Sequence, residues 1–168
     1  MVLSKHNLVW AVFNMGKVHY HNRMFVDAVK AFSSLIGEND MYIQAYDWLA
    51  RTLEAMGDTK SAQKTLEAAV SKSPRAIFRQ RALGNVAFGN KDYDTAEGAF
   101  KRAVHIGKTS LFKDPADYIR LAKVYIKKED HGKALDLIDE ARADFIDNDE
   151  VLLQATLTET YLCRHKPI

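Results

Sequence analysis

The residues best suited to metal or nucleophilic chemistry are the histidines and a lone cysteine, and their spacing argues against both uses. His19 and His21 are two positions apart, which on a helix places them on different sides, so they do not converge on one ion. His105, His131 and His165 are scattered through the sequence. Cys163 has Arg164 and His165 as neighbours, and cationic neighbours lower a thiol pKa. No positioned base or oxyanion donor accompanies it. Gly84 and Gly89 fall inside a helical pattern rather than in a phosphate-cradling loop. Asp58, Asp92 and Asp130 recur at matching places ahead of helical segments. There an aspartate accepts from the free amides of a helix N-terminus, and capping explains all three without catalysis. No catalytic, cofactor-binding or metal-binding residue is therefore assigned, and a non-enzymatic chain is expected.

Those aspartates point to the elements that carry them. Gly16, Ala50, Gly84 and Ala122 are separated by 34, 34 and 38 residues. Ala28, Ala62, Ala96 and Ala134 keep the same spacings, as do Phe32, Leu66, Phe100 and Ile138. Three ladders thus share one register and one insertion of four residues, placed in the segment Gly107 to Lys113. A period of about 34 residues is that of a repeated helix–turn–helix unit. Close helix pairs need a small residue where backbones approach and a large one beside it, and each hairpin completes its core against the next.

The units run over about residues 9–42, 43–76, 77–110 and 115–148, followed by a terminal helix over about 148–163, in a single domain of residues 1–168. Unit two is clearest. Leu49, Ala50, Ala62, Leu66 and Ala69 mark its two helices, Gly57-Asp58 the turn, and Pro74 the stop. In unit one, Gly37 is expected just after the second helix. Ser73-Pro74 is expected to start the first helix of unit three, with serine as cap, and Asp114-Pro115 that of unit four. Asp147 and Glu150 have the spacing of a capping box. The last helix carries Leu152, Leu153, Leu157 and Leu162 among threonines and a glutamate, as suits a solenoid cap.

The 168 residues are 47% hydrophobic, with a formal net charge of +2. That charge is too small for binding by phosphate neutralisation, and no regular base-reading pair recurs, so no nucleic acid is expected. One cysteine fits a reducing compartment. The apolar run Leu8 to Phe13 is six residues long and lacks a cleavage site. It makes a poor signal peptide, and no run reaches membrane-spanning length, so a cytoplasmic location and no membrane partner are expected.

Leu49-Ala50, Leu53, Gly57, Ala62, Leu66, Ala69 and Pro74, with Leu83-Gly84, Tyr93, Ala96 and Phe100, resemble the tetratricopeptide repeat pattern. Arg23 and Glu129 stand where that pattern has glycine. The resemblance implies an all-α, right-handed superhelical solenoid of about four helix–turn–helix units plus a C-terminal capping helix, acting as a protein-interaction scaffold. The runs Tyr46 to Arg51, Leu66 to Pro74, Arg79 to Gly84 and Asp114 to Tyr118 are similar to the C-terminal repeat region of bacterial receiver-linked two-component response regulators. This narrower resemblance implies bacterial signal transduction or, as the alternative, the effector or dimerisation half of a response regulator whose receiver is absent from this chain.

In such a stack the first helices line the concave face, and their outward residues form the groove. These are Trp10, Phe13, Asn14, Lys17 and Tyr20 in unit one and Asp47, Trp48, Arg51 and Glu54 in unit two. Unit three supplies Phe78, Arg81, Asn85 and Phe88, and unit four Ile119, Arg120, Lys123 and Lys127. A peptide with apolar anchors and acidic residues is the expected partner. Arg81, Asn85 and Arg120 partly echo the carboxylate-binding residues of some family members. The N-terminal helix is apolar on most sides, so either a domain outside this chain covers it or two copies pair through it as a homodimer.

Overall fold

A computed structural model describes residues 5–146 and 148–164, apart from the side chains of residues 5–7, 154 and 159–164. Asp147 and His165, and the side chains of Leu162 and Cys163, lie outside the described residues. Among the described residues the secondary structure is entirely helical: α1 (Lys5–His21), α2 (Phe25–Glu38), α3 (Ile43–Ala55), α4 (Thr59–Lys72), α5 (Ile77–Gly89), α6 (Tyr93–Lys108), α7 (Pro115–Lys127), α8 (His131–Asp144) and α9 (Asp149–Arg164). The chain forms two compact units, Met1–Val86 and Ala87–Ile168.

In the N-terminal unit α1 packs on α2, α2 on α3, and α3 on α4. The ladder residues sit where these pairs close. Ala28, Phe32, Ala50, Ala62 and Leu66 are buried. A Cβ at Gly16 would come within 2.8 Å of two ring carbons of Phe32, so a larger residue at that waist would displace the Phe32 ring. Around it Phe13, Tyr20, Trp48 and Leu49 pack against the cluster of Ala28, Phe32, Leu35 and Ala45. In the C-terminal unit α7 packs against α6, α8 and α9. Its core gathers Ala87, Ala96, Phe100, Tyr118, Leu121, Val124, Tyr125 and Val151.

The expected aspartate caps are present. Asp58 Oδ1 accepts from Ser61 N at 3.1 Å, Asp92 from Thr95 N at 3.2 Å and Asp130 from Lys133 N at 3.3 Å. Asp114 accepts from Ala116 N, with Pro115 in the first turn of α7. At the matching place before α2, Met24 offers no side-chain bond. The turn ahead of each cap bends through a residue with positive φ: Arg23 (61°), Gly57 (83°), Lys91 (62°) and Glu129 (61°). Three of the four lack glycine and accept the left-handed conformation to keep the turn.

Several local expectations are corrected. Gly37 lies inside α2, whose C-cap is Asn39. Ser73 is the C-cap of α4 and not the start of α5, which begins at Ile77. Its hydroxyl instead accepts from Arg79 Nη1 at 3.0 Å. At the start of α9 the acceptor is Asn148 Oδ1, 3.1 Å from Val151 N. On α9 the buried row is Val151, Ala155 and Thr158, at helical spacing. Leu152, Leu153 and Leu157 are left outside that row and exposed. No helix among the described residues is long and apolar enough to cross a membrane.

Candidate functional site

In the N-terminal unit α3 and α5 present their outward residues around one cleft of about 390 Å³, lined by Asp47, Ala50, Arg51, Glu54, Leu66, Ala76, Phe78, Arg79 and Ala82. One wall is held by a paired salt bridge. Arg79 donates from Nε to Asp47 Oδ1 and from Nη2 to Asp47 Oδ2, both at 2.7 Å, while its Nη1 reaches Ser73. This fork-to-carboxylate geometry fixes both partners at once. Asp47, expected to face a partner, is thus mostly committed to holding α5 against α3. Arg79 was not among the expected residues. Asp47 aligns by the 34-residue period with Arg81, whereas its partner lies two positions earlier.

Phe78 stands at the cleft with 63% of its surface exposed, and the Arg81 guanidinium lies 5.7 Å from its ring centre. Desolvation by the surrounding protein raises the Glu54 carboxyl above its ordinary pKa, and the charge of Arg51 opposes that shift. The cleft therefore combines an exposed aromatic, small apolar walls from Ala50, Ala76 and Ala82, and charges of both signs.

Beside it, Trp48 gathers cations. Arg51 lies 4.8 Å and Lys17 5.5 Å from its ring centre. Tyr20 and His21 meet the same indole at 5.5 and 5.9 Å. Cations over an aromatic face are attracted by its quadrupole, so Lys17 and Arg51 are both drawn to the Trp48 ring. Phe13 sits edge-on to Phe32 and Tyr42 at 5.9 and 5.4 Å. Phe13 and Tyr20, both expected to line a groove, therefore spend much of their surface on packing. Trp10 is exposed, with its carbonyl accepting from Asn14 Nδ2 at 2.8 Å. Asn85 is exposed on α5.

The C-terminal unit treats its expected site residues differently. Ile119 is buried, which removes it from any ligand surface; α7 is enclosed by three neighbouring helices and has a wider buried face than its counterparts. Arg120 Nη1 reaches the buried Asp117 at 3.3 Å. Phe88 meets Tyr93 edge-on at 5.6 Å. Lys123 and Lys127 are exposed. Near the other end of α7, the Tyr118 hydroxyl donates to Asp144 Oδ2 at 2.8 Å, and Lys113 pairs with the same oxygen at 2.9 Å. Burial and this bond push the Tyr118 pKa up. Arg81 lies beside Phe78, and Arg120 is tied to its own helix. Among the described residues no group of three or more His, Cys, Asp or Glu could hold a metal ion.

Comparison with known proteins bears on the repeats and the fold. The family model described as tetratricopeptide repeat matches residues 49–110. No curated protein matches the sequence. Among solved structures, MamA superposes with a TM-score of 0.70 at 17% identity, covering 95% of this chain and 96% of that one. MamA from Desulfovibrio magneticus RS-1, residue 41 to the end, gives 0.65 at 18% identity over 80% of this chain and 74% of its own. YrrB, described as a TPR protein with an unusual peptide-binding site, gives 0.72 at 14% identity over 92% of this chain and 78% of its own. At such identities a likeness speaks for the fold alone. Residues 49–110 match the tetratricopeptide repeat family, and the chain has the all-α tetratricopeptide fold.

Proposed function

We propose that this chain is a non-enzymatic scaffold that holds a peptide or protein segment on its first helices, with the cleft between α3 and α5 as the anchoring subsite. The observation that carries the reading is the cleft itself, about 390 Å³ and lined by Phe78 and Arg51. Its wall is already held by the Asp47–Arg79 pair. A cleft of this size has room for a large apolar side chain. Acidic residues flanking that anchor would meet Lys17 and Arg51 beside Trp48. Within the same unit, Arg81 and Asn85 supply further contacts for a longer ligand. YrrB's description as a protein with a peptide-binding site supports the class of ligand.

The setting is bacterial signal transduction in the cytoplasm. Support for it comes from the similarity of four runs in this sequence to receiver-linked repeats.

Peptide-library selection tests the reading. Against the wild-type chain, enriched peptides should carry an aromatic or aliphatic residue beside Asp or Glu. Phe78→Ala should weaken the best of them by about tenfold, as expected for an anchor at a small interface. Arg51→Glu should remove the preference for acidic flanks. Enrichment unchanged by either substitution would reject the cleft as the subsite.

A further inference from the structure

Two helices carry apolar rows that their own unit leaves in solvent. On α1, Leu8, Met15 and Val18 are 50%, 57% and 56% exposed. Their spacing sets them along one face of the helix, and exposed Val26 follows on α2. On α9, Leu153 and Leu157, four positions apart, are 60% and 55% exposed on the side away from the buried row Val151, Ala155 and Thr158, and Leu152, 46% exposed, lies at the edge between the two faces. Single exposed apolar residues are ordinary, but several grouped on one helix face mark a docking face.

Charge decides what docks there. Residues 5–34 hold four Lys or Arg and one Asp, whereas residues 136–164 hold eight Asp or Glu and two Arg. Pairing two α1 faces would bring basic segments together, and pairing two α9 faces would oppose acidic ones. Opposite potentials attract and like potentials repel across an interface. The occupant favoured on both grounds is the α9 face of a second copy. We propose that the Leu8–Met15–Val18 face of one copy docks on the Leu153–Leu157 face of another, giving a head-to-tail self-association. Such a contact is heterologous: each open assembly keeps one unused α1 face at one end and one unused α9 face at the other until a ring closes.

Sedimentation velocity on the whole chain tests this. The wild type should grow in mass with concentration, past the dimer, and added salt should reverse it. Met15→Glu with Val18→Glu closes the α1 face; Leu153→Lys with Leu157→Lys closes the α9 face. Each variant alone should sediment as a monomer with helicity retained by circular dichroism. An equimolar mixture of the two should form a dimer and nothing larger, because one intact interface remains. Should the charged variants lose helicity, Val18→Ser and Leu157→Ser weaken the same faces more gently. A wild type that stays monomeric overturns the proposal. So does an α9-closed variant that still dimerises, which would show α1 pairing with itself, or a mixture that stays monomeric.

Discussion

The hairpins α1/α2 and α3/α4 occupy the same positions of one repeat, yet they close with different side chains. In α3/α4 the waist is Ala50 beside Ala62 and Leu66, the turn is Gly57, and Asp58 caps the second helix. In α1/α2 the waist shrinks to Gly16 so that the ring of Phe32 can fill it. Arg23 takes the left-handed turn, and Met24 supplies no cap. Trp48 of α3 then stacks near Phe32 at 6.1 Å. One hairpin is made by local signals and modest aliphatic contacts; the other gives up those signals and leans on a large aromatic cluster. The lesson is that a repeat is defined by the volume its positions must fill rather than by residue identity.

The strongest way to break this comparison is Phe32→Ala. Its side chain is fully buried and its neighbours are built around it, so the loss should be about 3–5 kcal/mol, read as a drop in the denaturant midpoint. A loss below about 1 kcal/mol would mean the aromatic cluster carries little. Next, Ala62→Leu adds volume where α3 and α4 meet and should cost roughly 1–3 kcal/mol; an unchanged melting midpoint would undo the register.

The turns sharpen it further. Gly57→Ala, at φ 83°, should destabilise by about 1–2 kcal/mol. Arg23→Gly relieves the same strain and, after the larger entropy lost by glycine, should gain about 0.5–1 kcal/mol. If both substitutions move the melting temperature the same way, the two turns are not equivalent. The smallest effect separates the units by pH. Hydrogen bonds from Lys101 and Lys128 hold the Glu97 carboxyl below its ordinary value, so its contribution is full above that value and lost as pH falls through the folded pKa. Glu54, raised by desolvation, works in the opposite sense and is relieved on acidification. Between about pH 6 and about pH 3, Glu97→Gln should flatten the acid loss of stability, and Glu54→Gln should steepen it.

Much of the fold was legible because it rests on short-range rules. Small waist residues, their large companions and the aspartate caps recur at fixed spacing, and each reports a local steric or hydrogen-bonding need. Arg79 was not legible, since it bonds a residue 32 positions back and a comparison of equivalent positions steps over it. Arg23, Lys91 and Glu129 hide their left-handed turns because neither charge nor hydropathy encodes φ. Ile119 was placed outward by counting along α7, but enclosure by α6, α8 and α9 is a tertiary property. Of the candidate site, Asp47, Arg51, Glu54 and Phe78 were named from sequence and share one cleft, while Phe13 and Tyr20 turned inward to the aromatic cluster.

Backbone amide chemical-shift mapping with a library-selected peptide tests the binding account most directly. Titration should move the amides of Arg51, Glu54, Phe78 and Ala82, on α3 and α5 around the cleft. Shifts confined to α4, with those four amides unmoved, would contradict it.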